Sequence, residues 1–287
     1  MSTSQQLRHA IQNIDNLPAM PVVAQKILSL PLDTEAGEQQ LLKLIETDPQ
    51  IAARLIGLSN SPLFGATRHI TSVHEAAMLL GLTRVKSVTI GIAVMSAMSQ
   101  RQGGKLNLQQ LWLHTLGVAL GMRTLARAMP FKTRPKEDDL FLAGLLHDIG
   151  FMVLNHLDIA SSDRLHAAIA AAPQRPVTEI EAEVLGDISH EELGAELGRR
   201  WELPADIVTV LAHHHHPAVP PEVPGYALIR LLALTEKLLP DFGILEPVDG
   251  AADEEDWRAL GIDPEQAEEL TAAVREQAEQ ARQVAAA

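Results

Sequence analysis

The chain has 287 residues and a formal net charge of −14, of which the stretch from Glu246 to the end carries −9. Acidity on that scale, with aromatic residues at 3%, offers neither a basic stripe nor stacking platforms, and so argues against nucleic acid as a partner; a small phosphorylated ligand held through a metal stays open. Cysteine is absent, which removes disulfides, thiolate metal sites and thiol nucleophiles and leaves any metal to His, Asp or Glu.

Hydrophobic residues make up 46% of the chain, Leu and Ala are abundant and β-branched runs are few, a composition that predicts an all-α fold packed by aliphatic side chains. The opening MSTSQQLRHAIQNID has no apolar signal-peptide core, and the apolar, charge-free run 87–99 is too short to span a bilayer. The expectation is a cytoplasmic protein with no membrane partner.

In chain order, an amphipathic helix is expected from Leu7 to Ile14, and a second from Val22 to Leu30 behind Pro21. Gly37 to Thr47 and Pro49 to Leu58 follow. Asp48-Pro49 reads as an N-cap and first-turn pair, with Ile51, Leu55 and Leu58 on one face. SNSPLFG, from Ser59 to Gly65, reads as a stop and turn; helices over Ser72–Leu80 and Thr83–Met98 are split by Gly81. The glycine pair after Arg101-Gln102 marks an internal boundary, so residues 1–105 are expected to form an N-terminal helical subdomain.

Residues 106–245 are expected to form a helical core. A long helix over Leu108–Ala128 carries His114, and LFLAGLLHDIG, from Leu140 to Gly150, reads as an apolar helix stopped by Gly150. Helices over Asp163–Ala172, Val177–Leu185 and His190–Trp201 come next, the last capped by Ser189. Pro204 opens a helix into the run His213–His216, and Tyr226–Leu239 is helical after a Pro-rich loop. The acidic, Ala-rich remainder, 246–287, carries a helix from Pro264 to about Gln283 whose few apolar positions predict weak packing.

His147 and Asp148 sit at the end of an apolar run, where an unpaired carboxylate costs several kcal/mol. Either the two side chains are satisfied by hydrogen bonds, or they ligate a cation. The wider pattern bears on that choice. His114, His147-Asp148, His190, His213–His216 and Glu236 all fall in helical contexts, and four or five imidazoles with one or two carboxylates suffice for a mono- or dinuclear site. Helical neighbours point about 100° apart, so two of the four consecutive histidines at most reach one centre. His9, His69, His74, His156 and His166 read as surface or satisfied core, and Arg54, Arg68 and Arg84 as solvated.

The order His, His-Asp, His, His-His, acid resembles that of the HD superfamily of metal-dependent phosphohydrolases. LPAMPVVAQKIL, IETDPQIAARLIGLSNSPLFG, ITSVHEAAMLLGLTRVKS, LWLHT, FLAGLLHDIG, HEELGAELGRRWELP and AHHHHP, spread over residues 12 to 240, narrow the resemblance to the HDOD family of bacterial signalling proteins. The resemblance implies an all-helical HD-like output module that works with other signalling proteins. It also implies one or two divalent ions, drawn from Fe, Mn, Zn, Ni and Mg, on His114, His147, Asp148, His190, His214, His215 and Glu236. Glu236 stands where the superfamily usually has aspartate. A catalytic version would be a metal-dependent phosphohydrolase with Asp148 orienting or deprotonating a water. Cyclic di-GMP hydrolysis of the HD-GYP kind is not expected, because Phe151 replaces the HDIGK lysine and HHHHPAVPPEVPGY lacks the HHExxDGxGYP pattern.

Overall fold

The computed structural model describes residues 3–12, 17–61, 64–99, 103–239 and 241–285, and among them there are sixteen α-helices and no strand. The first six helices are α1 (Thr3–Gln12), α2 (Val22–Leu28), α3 (Glu35–Glu46), α4 (Pro49–Ser59), α5 (Val73–Leu80) and α6 (Leu82–Met98). Next come α7 (Leu108–Ala128), α8 (Glu137–Leu146), α9 (Ile149–Leu157), α10 (Ile159–Ala171), α11 (Val177–Val184), α12 (His190–Arg200), α13 (Ala205–His213) and α14 (Tyr226–Leu238). The chain closes with α15 (Glu254–Ala259), a 3-10 turn at Pro264–Gln266 and α16 (Ala267–Ala285). The expected helix end at Ile14, Pro62 and Leu63 of the turn, and Arg101 and Gln102 of the boundary lie outside the described residues.

The helix starts follow the local chemistry. Asp48 accepts from the Gln50 and Ile51 N–H groups with Pro49 in the first turn, Ser72 from Glu75, and Ser189 from Glu192. Each such cap satisfies a donor that the helix leaves without a partner, worth about 1 kcal/mol. Asn60 ends α4 and staples the following loop. Its amide donates to the Ile70 and Ile56 carbonyls (2.7 and 3.0 Å) and its Oδ1 accepts from the Ile70 N–H (2.7 Å).

The structure corrects the reading of Gly150. The helix ends earlier, at Leu146; His147 and Asp148 form a turn, and a new helix runs from Ile149 through Gly150 to Leu157. Gly150 lies inside that helix because α9 meets the start of α12 backbone to backbone: a Cβ there would stand 1.8 Å from the His190 carbonyl oxygen. The weak packing expected of the C-terminal helix is also corrected. Val274, Ala278 and Ala281 are fully buried and seat α16 along α7, so small residues spaced for a close approach replace the large apolar stripe that the sequence lacks.

Two helices organise the rest. α6 is buried nearly all round and joins the N-terminal helices to α8, with Ser87 Oγ donating to the Asp138 carbonyl (3.2 Å) and Gly91 against Leu145. α7 lies between α8, α14 and α16. The N-terminal segment reaches across to α12, where Arg8 pairs with Glu192 and the Trp201 indole donates to the Pro18 carbonyl (3.0 Å). Residues 137–157 are long and apolar enough in composition to cross a membrane, but 89% of their most apolar window is buried inside the fold.

Candidate metal centre

All seven residues singled out above converge on one point in the core. His114 comes from mid-α7, His147 and Asp148 from the turn between α8 and α9, His190 from the first residue of α12, and His214 and His215 from the turn that ends α13; Glu236 comes from α14. His147, Asp148, His190 and His214 are fully buried, and His114 and Glu236 are 2% exposed. Asp148 occupies an N-cap position, yet its carboxylate makes no capping bond with α9 and turns into the site instead.

Four of the imidazoles are held the same way. Nδ1 of His114 donates to the Phe242 carbonyl (2.8 Å), that of His147 to Gly144 (2.8 Å), that of His190 to the Glu181 carboxylate (2.8 Å), and that of His214 to Val210 (3.2 Å). Carbonyl and carboxylate oxygens only accept, so each Nδ1 carries the hydrogen and each neutral ring presents a bare Nε2 lone pair inward. These Nε2 atoms face one another in two pairs, His114 with His147 at 3.2 Å and His190 with His214 at 3.0 Å. Lone pairs at that separation repel unless a proton or a cation lies between them. Two nitrogens on one tetrahedral ion with bonds near 2.0 Å are separated by about 3.3 Å, so the spacing of each pair suits one ion.

The carboxylates span the two pairs. Asp148 Oδ2 lies 3.3 Å from His114 and 3.2 Å from His147, while Oδ1 lies 3.7 Å from His190 and 3.6 Å from His214. Glu246 does the same, with Oε2 3.4 Å from His114 and Oε1 3.5 Å from His190 and 2.9 Å from His215. Two groups of ligand atoms result. One is His114, His147, Asp148 and Glu246; the other is Asp148, His190, His214, His215 and Glu246. Glu236 flanks both, 3.3 Å from His147 and 3.7 Å from His215. Both Asp148 oxygens, Glu236 Oε1 and Glu246 Oε2 are buried and have no hydrogen-bond donor among the described residues. Bare acceptors on every side are the environment a divalent cation completes, so the residues present fit such an ion.

Without an ion, protons do part of the same work. Burial disfavours a charged His147, but the Asp148 and Glu236 carboxylates override it and push its pKa up to about 10. His190 rises to about 9, with burial opposing and Glu181 prevailing. Burial holds His114 and His215 below the usual imidazole range. Asp148 stays well below the carboxylate range despite burial, because His147 sits beside it, whereas burial and the Asp148 charge drive Glu246 well above it.

Three carboxylates in and around the site escaped the sequence reading. Glu246 was grouped with the acidic tail, but Phe242, Ile244 and Glu246 are buried at every second position of a non-helical segment. Glu181 follows Val177 by four residues and shares its buried face, where it orients His190. Glu191 accepts from the His215 N–H (2.9 Å) and pairs with the exposed His216 (3.4 Å), which sets the turn of the histidine run. His166 is not a satisfied core residue: its buried Nε2 has no partner among the described residues, and burial lowers its pKa to about 4. Phe151, at the HDIGK lysine position, stacks on His190 with centroids 4.2 Å apart.

Residues 17–217 match the family model for the HDOD domain. The chain belongs to the HDOD domain family. A candidate signal transduction protein from Marinobacter aquaeolei superposes with a TM-score of 0.79 at 25% identity, over 99% of this HDOD chain and 65% of that one. An HDOD domain protein with unknown function from Geobacter sulfurreducens superposes with a TM-score of 0.74 at 26% identity, over 96% and 98% of the two chains. A Treponema pallidum protein is 26% identical over 225 residues, which are 73% of this HDOD chain and 40% of its own length. The chain thus spans less than two thirds of the Treponema and Marinobacter relatives. Glu236 and Glu246 both lie beyond the matched HDOD residues.

Proposed function

We propose that this HDOD protein is a signal-transduction output module whose buried His–carboxylate core binds two divalent cations and whose N-terminal helices present the surface read by other signalling proteins. The two facing pairs of imidazole Nε2 atoms, at 3.2 and 3.0 Å with bare carboxylates across both, carry this reading. The closed state of the core favours binding and signalling over turnover. The opening to it, bounded by Pro176, His214, His215, Glu236, Lys237 and Pro247, encloses about 180 Å³. Pockets for small organic ligands run to roughly 300–1,000 Å³.

The reading is tested by elemental analysis of protein purified without chelators, before and after exhaustive chelation. About two equivalents of a transition metal are expected, and their removal lowers the thermal midpoint. Occupancy at a hundredfold excess over the dissociation constant is worth about 2.7 kcal/mol. His147→Ala with Asp148→Ala abolishes the bound metal and, on this reading, the signalling output. A folded wild-type protein that takes up no metal under any loading condition overturns it.

A metal-dependent phosphohydrolase is the second reading, favoured by the full set of histidines and by the opening beside His214 and His215. The cations, when bound, would polarise a phosphoryl oxygen and lower the pKa of a water. Asp148, both oxygens free of donors, is the residue to orient that water. Loaded protein inert towards a broad panel of nucleotides and phosphoesters excludes this second reading.

A further inference from the structure

Among the groups that meet in the core, Glu246 differs in how it arrives. The histidines, Asp148 and Glu236 stand on helices or helix ends, whereas Glu246 hangs from a non-helical segment between α14 and α15. That segment closes over the site like a strap. Phe242 fills the space beside Gly117, its carbonyl accepts from His114, and the guanidinium of Arg282 on α16 lies 5.1 Å from its ring. Gly243, at φ +84°, lets the chain press onto α7, since a Cβ there would stand 2.6 Å from the His114 nitrogen. Ile244 and Glu246 then point inward, and the Pro247 carbonyl accepts from the Val177 N–H (2.8 Å) at the start of α11.

The Glu246 carboxylate sits across both facing pairs of imidazoles, one oxygen towards His114 and the other towards His190 and His215. Asp148 already spans the same two groups, with its carboxylate close beside that of Glu246. A phosphoryl group bridging two cations presents the same feature, two anionic oxygens shared between neighbouring centres. Glu246 therefore takes the place an oxyanion ligand would take, and the strap that brings it walls the cavity with Pro247, Val248 and Asp249.

We propose that Glu246 is a self-supplied plug: its carboxylate occupies the oxyanion position of the core, and a phosphoryl-bearing ligand enters only when the 242–249 strap lifts away. This rests on the two-cation reading above. Binding is then weakened by the fraction of time the strap is open, so a strap open about a tenth of the time lowers apparent affinity about tenfold. The plug is set by this chain's own sequence beyond residue 217, where the family match ends.

The test uses the full chain loaded with Mn2+, with metal content from elemental analysis and inorganic phosphate binding from titration calorimetry. Two variants separate plug from permanent ligand. Glu246→Ala removes the carboxylate. Val177→Pro leaves every ligand in place but deletes the N–H that holds Pro247, and it does so at the first residue of α11, where proline is tolerated. Both variants are expected to bind phosphate about tenfold more tightly than wild type, with the metal content of Val177→Pro unchanged. A loss of metal in Glu246→Ala with no gain in phosphate affinity in either variant overturns the plug and makes Glu246 a fixed ligand. Unchanged metal and unchanged phosphate affinity in both also overturn it. Wild type that takes up no Mn2+ overturns the two-cation reading itself and the plug with it, a result distinct from the other two.

Discussion

Gly150 and His190 meet so closely that a methyl group on the glycine would stand 1.8 Å from the histidine's carbonyl oxygen. The glycine is what allows α9 to approach α12 and bring His190 within reach of Asp148. A helix residue whose value lies in its missing side chain thus controls the spacing between the two halves of the candidate metal centre.

Gly150→Ala tests this. Helix propensity alone would make alanine the better residue by almost 1 kcal/mol. Overpacking typically costs 1–3 kcal/mol, and a 1.8 Å approach to backbone belongs at the upper end, so a net loss of about 2 kcal/mol in urea denaturation is expected. Metal content should fall as well, because α12 must retreat with His190 on it. A variant more stable than wild type with full metal would refute the close-packing account.

The pH dependence of chelated protein follows from the shifted groups. His147 and His190 titrate higher in the folded protein, at about 10 and about 9, than the ordinary 6.5 of the unfolded chain. Their contribution is complete below 6.5 and disappears as pH rises through the folded values. Glu246, shifted upward, also loses stability with rising pH. His114 and His215 are shifted downward, so their burial costs stability below 6.5, where the unfolded rings take up protons that the folded ones refuse. Stability of the metal-free protein should therefore peak near pH 6.5 and fall steadily towards pH 10, as read from urea midpoints across that range. A rise between pH 7 and 10 would contradict the assignment of His147 and His190.

Asn60 carries a prediction away from the site. Two of its three side-chain hydrogen bonds tie the end of α4 to Ile70, and Ile70 is itself buried. Asn60→Ala leaves the Ile70 N–H and carbonyl without partners, a loss of about 2 kcal/mol in chemical denaturation. Metal content should remain that of wild type. An Asn60→Ala protein as stable as wild type would show that the loop is held by other means.

Much of this molecule was legible one residue at a time. Asp48 and Ser189 cap the helices expected of them, since an N-cap bond spans two or three residues and needs no distant partner. Likewise the run of helices, and the pairing of His147 with Asp148 inside an apolar stretch, follow from local periodicity. Burial alone makes two such side chains conspicuous.

Partners far apart in the chain were the part that only folding decided. Gly150 reads as a helix stop until α12, forty residues later, is laid against it, and Ala278 reads as a solvated residue until α7 is beneath it. Glu246 is one acid among many in the tail, and joins the buried His–carboxylate cluster through a strap whose path depends on Phe242, Gly243 and Val177. Hydrogen bonds and short repeats act over a few residues and are written in order along the chain. Close approach and charge meeting charge act through space, and their partners here lie far apart in the chain, 184 positions for Arg8 and Glu192 and 132 for His114 and Glu246.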